Sequence, residues 1–215
     1  KSVADGLLQV NEQFMDPVFA CLDCRACTTA CPADVDVGGL IEEARGQIRQ
    51  AMPLTGVKGT VSKFFLKGLF PHQNRLNSVG SLLKFYQKSG MQKAVRKTGM
   101  LRIMPKHLAE MEAIMPEIKQ PVRKKYKNQT VIPAQGETRT EVSFLTGCVM
   151  DVMFSDINES TINVLTKNGN AVTIPQNQTC CGALHVHAGD RDPGRKLAKH
   201  NIEAFKDSDK IIVNA

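Results

Sequence analysis

A chain of 215 residues, 42% of them apolar, can bury one large core or two small ones. No apolar run approaches the roughly 18 residues that a membrane-spanning helix needs, and seven cysteines, four of them in one tightly spaced CxxC run, read as metal ligands in a reducing compartment rather than as a disulfide scaffold. The net charge of +7 comes with sparse aromatic residues and no nucleic-acid motif, which argues against a nucleic-acid partner.

The first segment, residues 1–51, holds the run Cys21-Leu22-Asp23-Cys24-Arg25-Ala26-Cys27-Thr28-Thr29-Ala30-Cys31-Pro32. The spacing C-x2-C-x2-C-x3-C-P is that of bacterial ferredoxins. Three thiolates two residues apart on one tight loop each reach a different iron of a cubane [4Fe–4S] cluster, and the proline aims the fourth toward a second cluster. Zinc sites use two distant CxxC knuckles, or one with a histidine pair, and neither is present. A zinc-binding structural scaffold is the reading of another class. Arg25 either offsets thiolate charge or lies on the surface. After the run, Gly38-Gly39-Leu40-Ile41 starts a helix that predicts an apolar stripe of Leu40, Ile41, Ala44 and Ile48.

Residues 52–140 read as a basic helical connector and linker. Short helices are broken at Pro53, Gly59, Pro71, Gly90, Gly99, Pro105 and Pro116. Val61, Phe64, Phe65, Leu69, Leu82, Leu83, Phe85 and Tyr86 supply apolar faces that the helical pattern assigns to core, although a membrane-surface or partner-docking helix would look similar. Between Lys58 and Lys127, 16 Lys and Arg oppose three acids, a net of +13, whereas the remainder of the chain carries −6. Such a zone suits docking on anionic lipid or an acidic partner subunit, or the solvated face of a connector. Gln120 to Thr140, with Pro121, Pro133 and Gly136, reads as linker.

In residues 141–215 the period changes. Val142–Leu145, Ala171–Ile174 and Ile211–Val213 are strands, separated by helices over 152–167 and from Asp192-Pro193 to about Phe205. The order predicts a small parallel βαβαβ module with right-handed crossovers, and the whole chain an α+β or α/β fold. Cys148 follows the first strand and Cys180-Cys181 the second. Sites in open parallel sheets form outside the carboxyl ends of the strands, so these cysteines are expected to converge. Thr146 and Gly147 either offer N–H groups to sulfur or make a simple turn. His185 and His187 either assist the cysteines, by a hydrogen bond or a coupled proton, or serve a loop or a helix cap. No G-x-G-x-x-G follows a strand, so no dinucleotide site is expected.

Leu145-Thr146-Gly147-Cys148 with Gln178-Thr179-Cys180-Cys181-Gly182-Ala183-Leu184-His185 resembles the cysteine-rich CCG domain. That domain is shared by the iron–sulfur subunit of glycolate oxidase and by heterodisulfide-reductase-type subunits. The 31 residues between Cys148 and Cys180 fit its pattern C-x31–38-C-C-x33–34-C-x-x-C. The closing CxxC would fall beyond Ala215, and the chain is expected to be an internal fragment with a truncated module. Lys1 to Gly6, the cysteine run and Glu42-Glu43-Ala44-Arg45 resemble the second ferredoxin motif of the glycolate oxidase subunit.

The resemblance implies a cytoplasmic electron-transfer subunit, at the inner face of the cell membrane if bound there. It would be non-catalytic alone, relaying electrons from an FAD-containing subunit that oxidises glycolate or another 2-hydroxy acid to a quinone or other membrane acceptor. It implies Cys21, Cys24, Cys27 and Cys31 as ligands of [4Fe–4S] clusters, and Cys148, Cys180 and Cys181 as ligands of an iron–sulfur group or zinc. A lactate or glycerol 3-phosphate dehydrogenase subunit, or a heterodisulfide-reductase-like module, are the related alternatives.

Overall fold

The computed structural model describes residues 3, 5–7, 9–103, 105–129 and 131–214. Lys1, Ser2 and Ala4 of the resembling amino-terminal stretch, and Ala215 at the end of the CCG segment, lie outside them. Asn11 opens the first helix, its side-chain oxygen accepting the Phe14 N–H at 3.1 Å, as an N-cap does. Helix α1 (Glu12–Ala20) buries Val18 and runs into the extended Cys21. Helix α2 (Ala26–Ala30) is a single turn inside the cysteine run. Asp36 caps α3 (Val37–Ala51) by accepting the Gly39 N–H at 3.0 Å.

Helix α4 (Gly56–Lys63) leads into a π-helical turn over Phe64–Leu69. Then follow α5 (Gln73–Lys88), α6 (Met91–Lys97), α7 (Lys106–Ala113) and α8 (Val122–Lys125). Strand β1 (Val131–Ile132) precedes β2 (Thr140–Leu145), α9 (Val149–Met153), α10 (Ser155–Lys167) and β3 (Asn170–Thr173). Helices α11 (Ala183–His187) and α12 (Arg191–Ala204) and strand β4 (Ile211–Val213) complete the order. Among the described residues no helix is long and apolar enough to cross a membrane.

The chain divides into two compact units, residues 1–68 with 181–199 and residues 69–180 with 200–215. In the first, α1, α2 and α11 pack against α3. Arg45 of α3 is buried, and its guanidinium donates to the Val18 carbonyl at 3.2 and 3.1 Å and to the Cys21 carbonyl. These are carbonyls that the end of α1 leaves without helical partners, so a side chain 24 positions away caps the helix and fixes the start of the cysteine loop. Gly189, at φ +82, lets the backbone after α11 approach α3: a Cβ there would lie 2.5 Å from the Arg45 carbonyl oxygen.

The second unit is built on a four-stranded sheet of order β1-β3-β2-β4. Strand β2 pairs in parallel with β3 (Val142 opposite Val172) and with β4 (Phe144 opposite Ile212). These are the pairings the βαβαβ pattern predicts. The sheet is nevertheless mixed, because the segment read as linker contributes β1, antiparallel to β3 through Val131 and Thr173. Val122, Ile132, Val142, Phe144, Ile162, Val172 and Ile174 form the core. The expected helix over 152–167 is two helices, broken at Phe154, whose ψ of 38° leaves the helical range.

Several apolar residues assigned to core lie outside it. Val61, Phe64, Phe65, Leu82 and Phe85 are exposed, whereas Leu69 is buried and Leu83 and Tyr86 are half-buried. Leu40 of the expected α3 stripe is exposed too, and Arg45 and Gly46 take the buried positions beside Ile48.

Asp151 of α9 anchors α8. It is fully buried, and one carboxylate oxygen accepts the Val122 N–H at 2.8 Å while the other has no hydrogen-bond donor. Burial raises its pKa from 3.8 to about 6, against the opposing pull of the Val122 N–H, Arg123 and Asn158. The folded chain therefore holds this proton more tightly than the unfolded chain, and the stability linked to it declines as pH rises from about 4 through 6. Asp151→Asn keeps the oxygen acceptor without the charge. We expect it to gain up to about 2–3 kcal/mol over the parent at pH 7.5, and urea denaturation should show the two converging below pH 4. A difference independent of pH would contradict this account.

Candidate functional site

The second cysteine group is assembled by strand polarity. Because β2, β3 and β4 run in parallel, their carboxyl ends share one edge. Cys148 follows β2 and Cys180 follows β3. Their sulfurs lie 3.4 Å apart, and the residues are 6% and 1% exposed. The convergence expected from the sequence is present for these two. Cys181 is exposed and leads into Gly182, at φ +89.

A polar network fixes that edge. Gln178 is buried, and its Oε1 accepts from the Thr146 N–H at 2.9 Å and the Thr146 hydroxyl at 3.2 Å. Its Nε2 donates to the Phe144 carbonyl at 3.2 Å and the Pro175 carbonyl at 2.9 Å. One side chain thus binds the end of β2 to the turn after β3. Asn158 of α10 donates to the Thr146 carbonyl at 2.9 Å and accepts from Asn214, just past β4, at 2.9 Å. Asn201 of α12 accepts the Thr179 N–H at 2.8 Å and donates to the Cys180 carbonyl at 3.0 Å. All of these bonds end within two residues of Cys148 or Cys180, or on the strand ends beside them. The Thr146 N–H, a candidate donor to sulfur, is taken by Gln178, and Gly147 at φ +72 makes the turn.

The first cysteine group lies on the loop between α1 and α3. Cys21 and Cys31 are half-buried, and Cys24 and Cys27 are exposed. The Asp23 N–H donates to the Cys21 sulfur at 3.4 Å. Backbone hydrogen bonds from Val35 and Ala33 pull the Cys31 thiol below its ordinary pKa, so the ligand form is favoured before anything binds. Among the described residues no three of the cysteine sulfurs lie within 4.8 Å of one another. A single zinc ion would draw its thiolates to about 3.8 Å apart, whereas a cubane puts each on a separate iron. Four thiols on one loop are a donor set of the kind that an iron–sulfur cluster takes.

Arg25 is exposed, as its surface reading has it. Arg25 donates to Glu42 at 2.6 Å, so its charge is met by a carboxylate. His185 is fully buried, and its Nε2–H donates to the Leu66 carbonyl at 2.6 Å, which makes it a packing residue. His187 places Nδ1 2.9 Å from an Asp23 oxygen. Sequence reasoning missed Arg45, Gln178, Asn158 and Asn201. The vicinity of Gln178 to the cysteine pair was the one available signal.

Gln178→Ala would leave the Thr146 N–H and the Phe144 carbonyl buried without partners. At about 1–3 kcal/mol for each such group, we expect a loss of about 2–4 kcal/mol in chemical denaturation. A loss below about 0.5 kcal/mol would mean the edge holds without this bridge.

Two family models match the chain: the linker region of the glycolate oxidase iron–sulfur subunit over residues 57–115, and a cysteine-rich domain over residues 142–215. A probable glycolate oxidase iron–sulfur subunit of Bacillus subtilis is 43% identical over 217 aligned residues, covering 100% of this chain and 49% of that protein. An uncharacterized iron–sulfur protein of Methanocaldococcus jannaschii is 26% identical over 91% of this chain and 31% of its own length. Lactate utilization protein A of Shouchella clausii is 35% identical over 34% of this chain and 30% of its own length. The chain therefore spans about half or less of these relatives. No solved structure matches it. The chain is thus similar along its whole length to a probable glycolate oxidase iron–sulfur subunit, and it matches both the linker region of that subunit and a cysteine-rich domain.

Proposed function

We propose that this chain is part of the electron-transfer subunit of a flavin-dependent glycolate or 2-hydroxy acid dehydrogenase. The observation that carries the reading is the 43% identity to the Bacillus subtilis relative across the whole chain, which spans the connector as well as both cysteine groups. By role the chain divides into a cluster-bearing segment (1–51), a connector (52–140) and a cysteine-rich module (141–215), a division separate from that into compact units.

Cys21, Cys24 and Cys27 would hold one [4Fe–4S] cluster, and Cys31 would serve a second. Cys148, Cys180 and Cys181 would hold the iron–sulfur group of the cysteine-rich module. Bound clusters supply one-electron oxidation and reduction. The protein's own part is ligation and tuning: backbone N–H groups at residues 23, 33 and 35 donate to Cys21 and Cys31, and such bonds raise the potential of a cluster. The oxidation of the hydroxy acid would belong to an FAD-containing partner subunit, and the electrons would pass to a quinone or other membrane acceptor. A lactate system is the second reading, favoured by the partial match to lactate utilization protein A. The glycolate relative covers three times as much of the chain.

In the reconstituted full-length protein, Cys24→Ser and Cys31→Ser should perturb different clusters. Anaerobic EPR of the reduced protein should therefore show two distinct losses, and identical losses would overturn the assignment.

Docking at the inner membrane face is the third element of the reading. Val57, Val61 and Phe64 are exposed beside Lys58, Lys63 and Lys67 on α4 and the turn after it, an apolar and cationic face suited to an anionic lipid surface. Co-sedimentation with vesicles containing phosphatidylserine should be strong at low salt. It should fall when ionic strength passes about 0.1 M, where screening sets in over about 10 Å. Absence of binding at low salt, with association only to an acidic partner subunit, would return this face to a protein interface.

A further inference from the structure

The cysteine loop carries a carboxylate that the cysteines do not account for. Asp23 stands between Cys21 and Cys24 at φ +54, a region that costs a non-glycine residue about 1–2 kcal/mol. Its side chain is 2% exposed, and neither carboxylate oxygen receives a hydrogen bond. A buried carboxylate without donors is costly and calls for a compensating charge.

Three groups surround it. His187 Nδ1 lies 2.9 Å from Asp23 Oδ2, yet that nitrogen is also buried and makes no hydrogen bond. Glu42 Oε1 lies 3.9 Å from the same nitrogen. Arg25 donates to Glu42 Oε1 at 2.6 Å and holds its Nε 3.9 Å from Asp23 Oδ1. One ligand atom each from Asp23, Glu42 and His187 falls within 4.8 Å of the others.

Two carboxylate oxygens and an imidazole nitrogen, without sulfur, form a donor set for a divalent first-row cation. Ligands about 2.0–2.2 Å from one ion sit roughly 3–4 Å apart, close to the 2.9 and 3.9 Å that separate His187 Nδ1 from the two carboxylates. An ion would also supply a direct ligand contact to the Asp23 oxygens and the His187 nitrogen, which make no hydrogen bond. Arg25 would hold Glu42 in orientation from outside. We propose that Asp23, Glu42 and His187 form a divalent-cation site that ties the cysteine loop to α3 and α11, independent of the iron–sulfur reading. The cation binds through side chains from three separate segments of one compact unit, so its occupancy stiffens the loop that presents Cys21 and Cys24.

The probe is Mn²⁺, whose preference for oxygen and nitrogen donors keeps it off the cysteine thiolates. Added to the 215-residue chain without oxygen, it is followed by the room-temperature EPR signal of the free ion. We expect one tightly bound equivalent, and affinity at least tenfold lower in Asp23→Asn, Glu42→Gln and His187→Gln. Far-UV circular dichroism checks that each variant is folded. If Asp23→Asn fails that check, the half-exposed positions Glu42→Gln and His187→Gln decide the matter. Mn²⁺ that stays free at millimolar concentration, or binds the folded variants as well as the parent, would mean the four side chains are an ion-pair network only.

Discussion

Parallel pairing of three strands is the constraint on which the second cysteine group depends. Antiparallel neighbours would send consecutive strand ends to opposite edges. Here β2 lies between β3 and β4 and shares their direction, so the turns after β2 and β3 open on the same side. Cys148 and Cys180, 32 positions apart, meet because of that polarity and not because of local sequence. Gln178, Asn158 and Asn201 then hold the turns with side-chain hydrogen bonds in place of ladder bonds. A network with each of these side chains engaged resists rotation of the cysteines, since moving either turn exposes buried polar groups.

The first cysteine group is held by a different device. The segment between the end of α1 at Ala20 and the start of α3 at Val37 has little backbone pairing of its own beyond α2, and Arg45 supplies what is missing by bonding the Val18 and Cys21 carbonyls. Its guanidinium also lies 5.5 Å from the Phe19 ring centre, with that of Arg49 at 4.4 Å. The cation is met by carbonyl dipoles and an aromatic face rather than by a carboxylate. A neutral substitute of similar volume would keep the packing and lose the bonds, which separates the two contributions.

The strands were legible because each is a short apolar run bounded by turn residues, and the cysteine run because its short, regular spacing stands out from the rest of the chain. Strand β1 was not, since two residues among proline, glycine and lysine carry no period. The exposed Phe64, Phe65, Leu82 and Phe85 were misassigned for a related reason. Helical periodicity reveals that a face is apolar and is silent about what covers it. Gln178, Asn158, Asn201 and Arg45 were illegible because their partners lie 12 to 34 positions away. Asp23 was hidden by its neighbours: between two cysteines it read as a spacer, and only the backbone turn at φ +54 shows that its side chain points inward.

The first compact unit has one property that concerns its making rather than its finished form. It joins residues 1–68 to residues 181–199, so 112 residues must be looped out before it can close. The entropy of closing such a loop is about 4 kcal/mol if the intervening chain is unstructured, and less once that chain has folded into its own sheet. During synthesis the amino-terminal segment emerges well before α11, with Gly189 still far from α3. The cysteine loop is therefore open to solvent and to scaffold proteins for the time the ribosome takes to add over a hundred residues, several seconds to tens of seconds at about 5–20 residues per second. Closure of this unit around the cysteine loop is thereby delayed by topology alone.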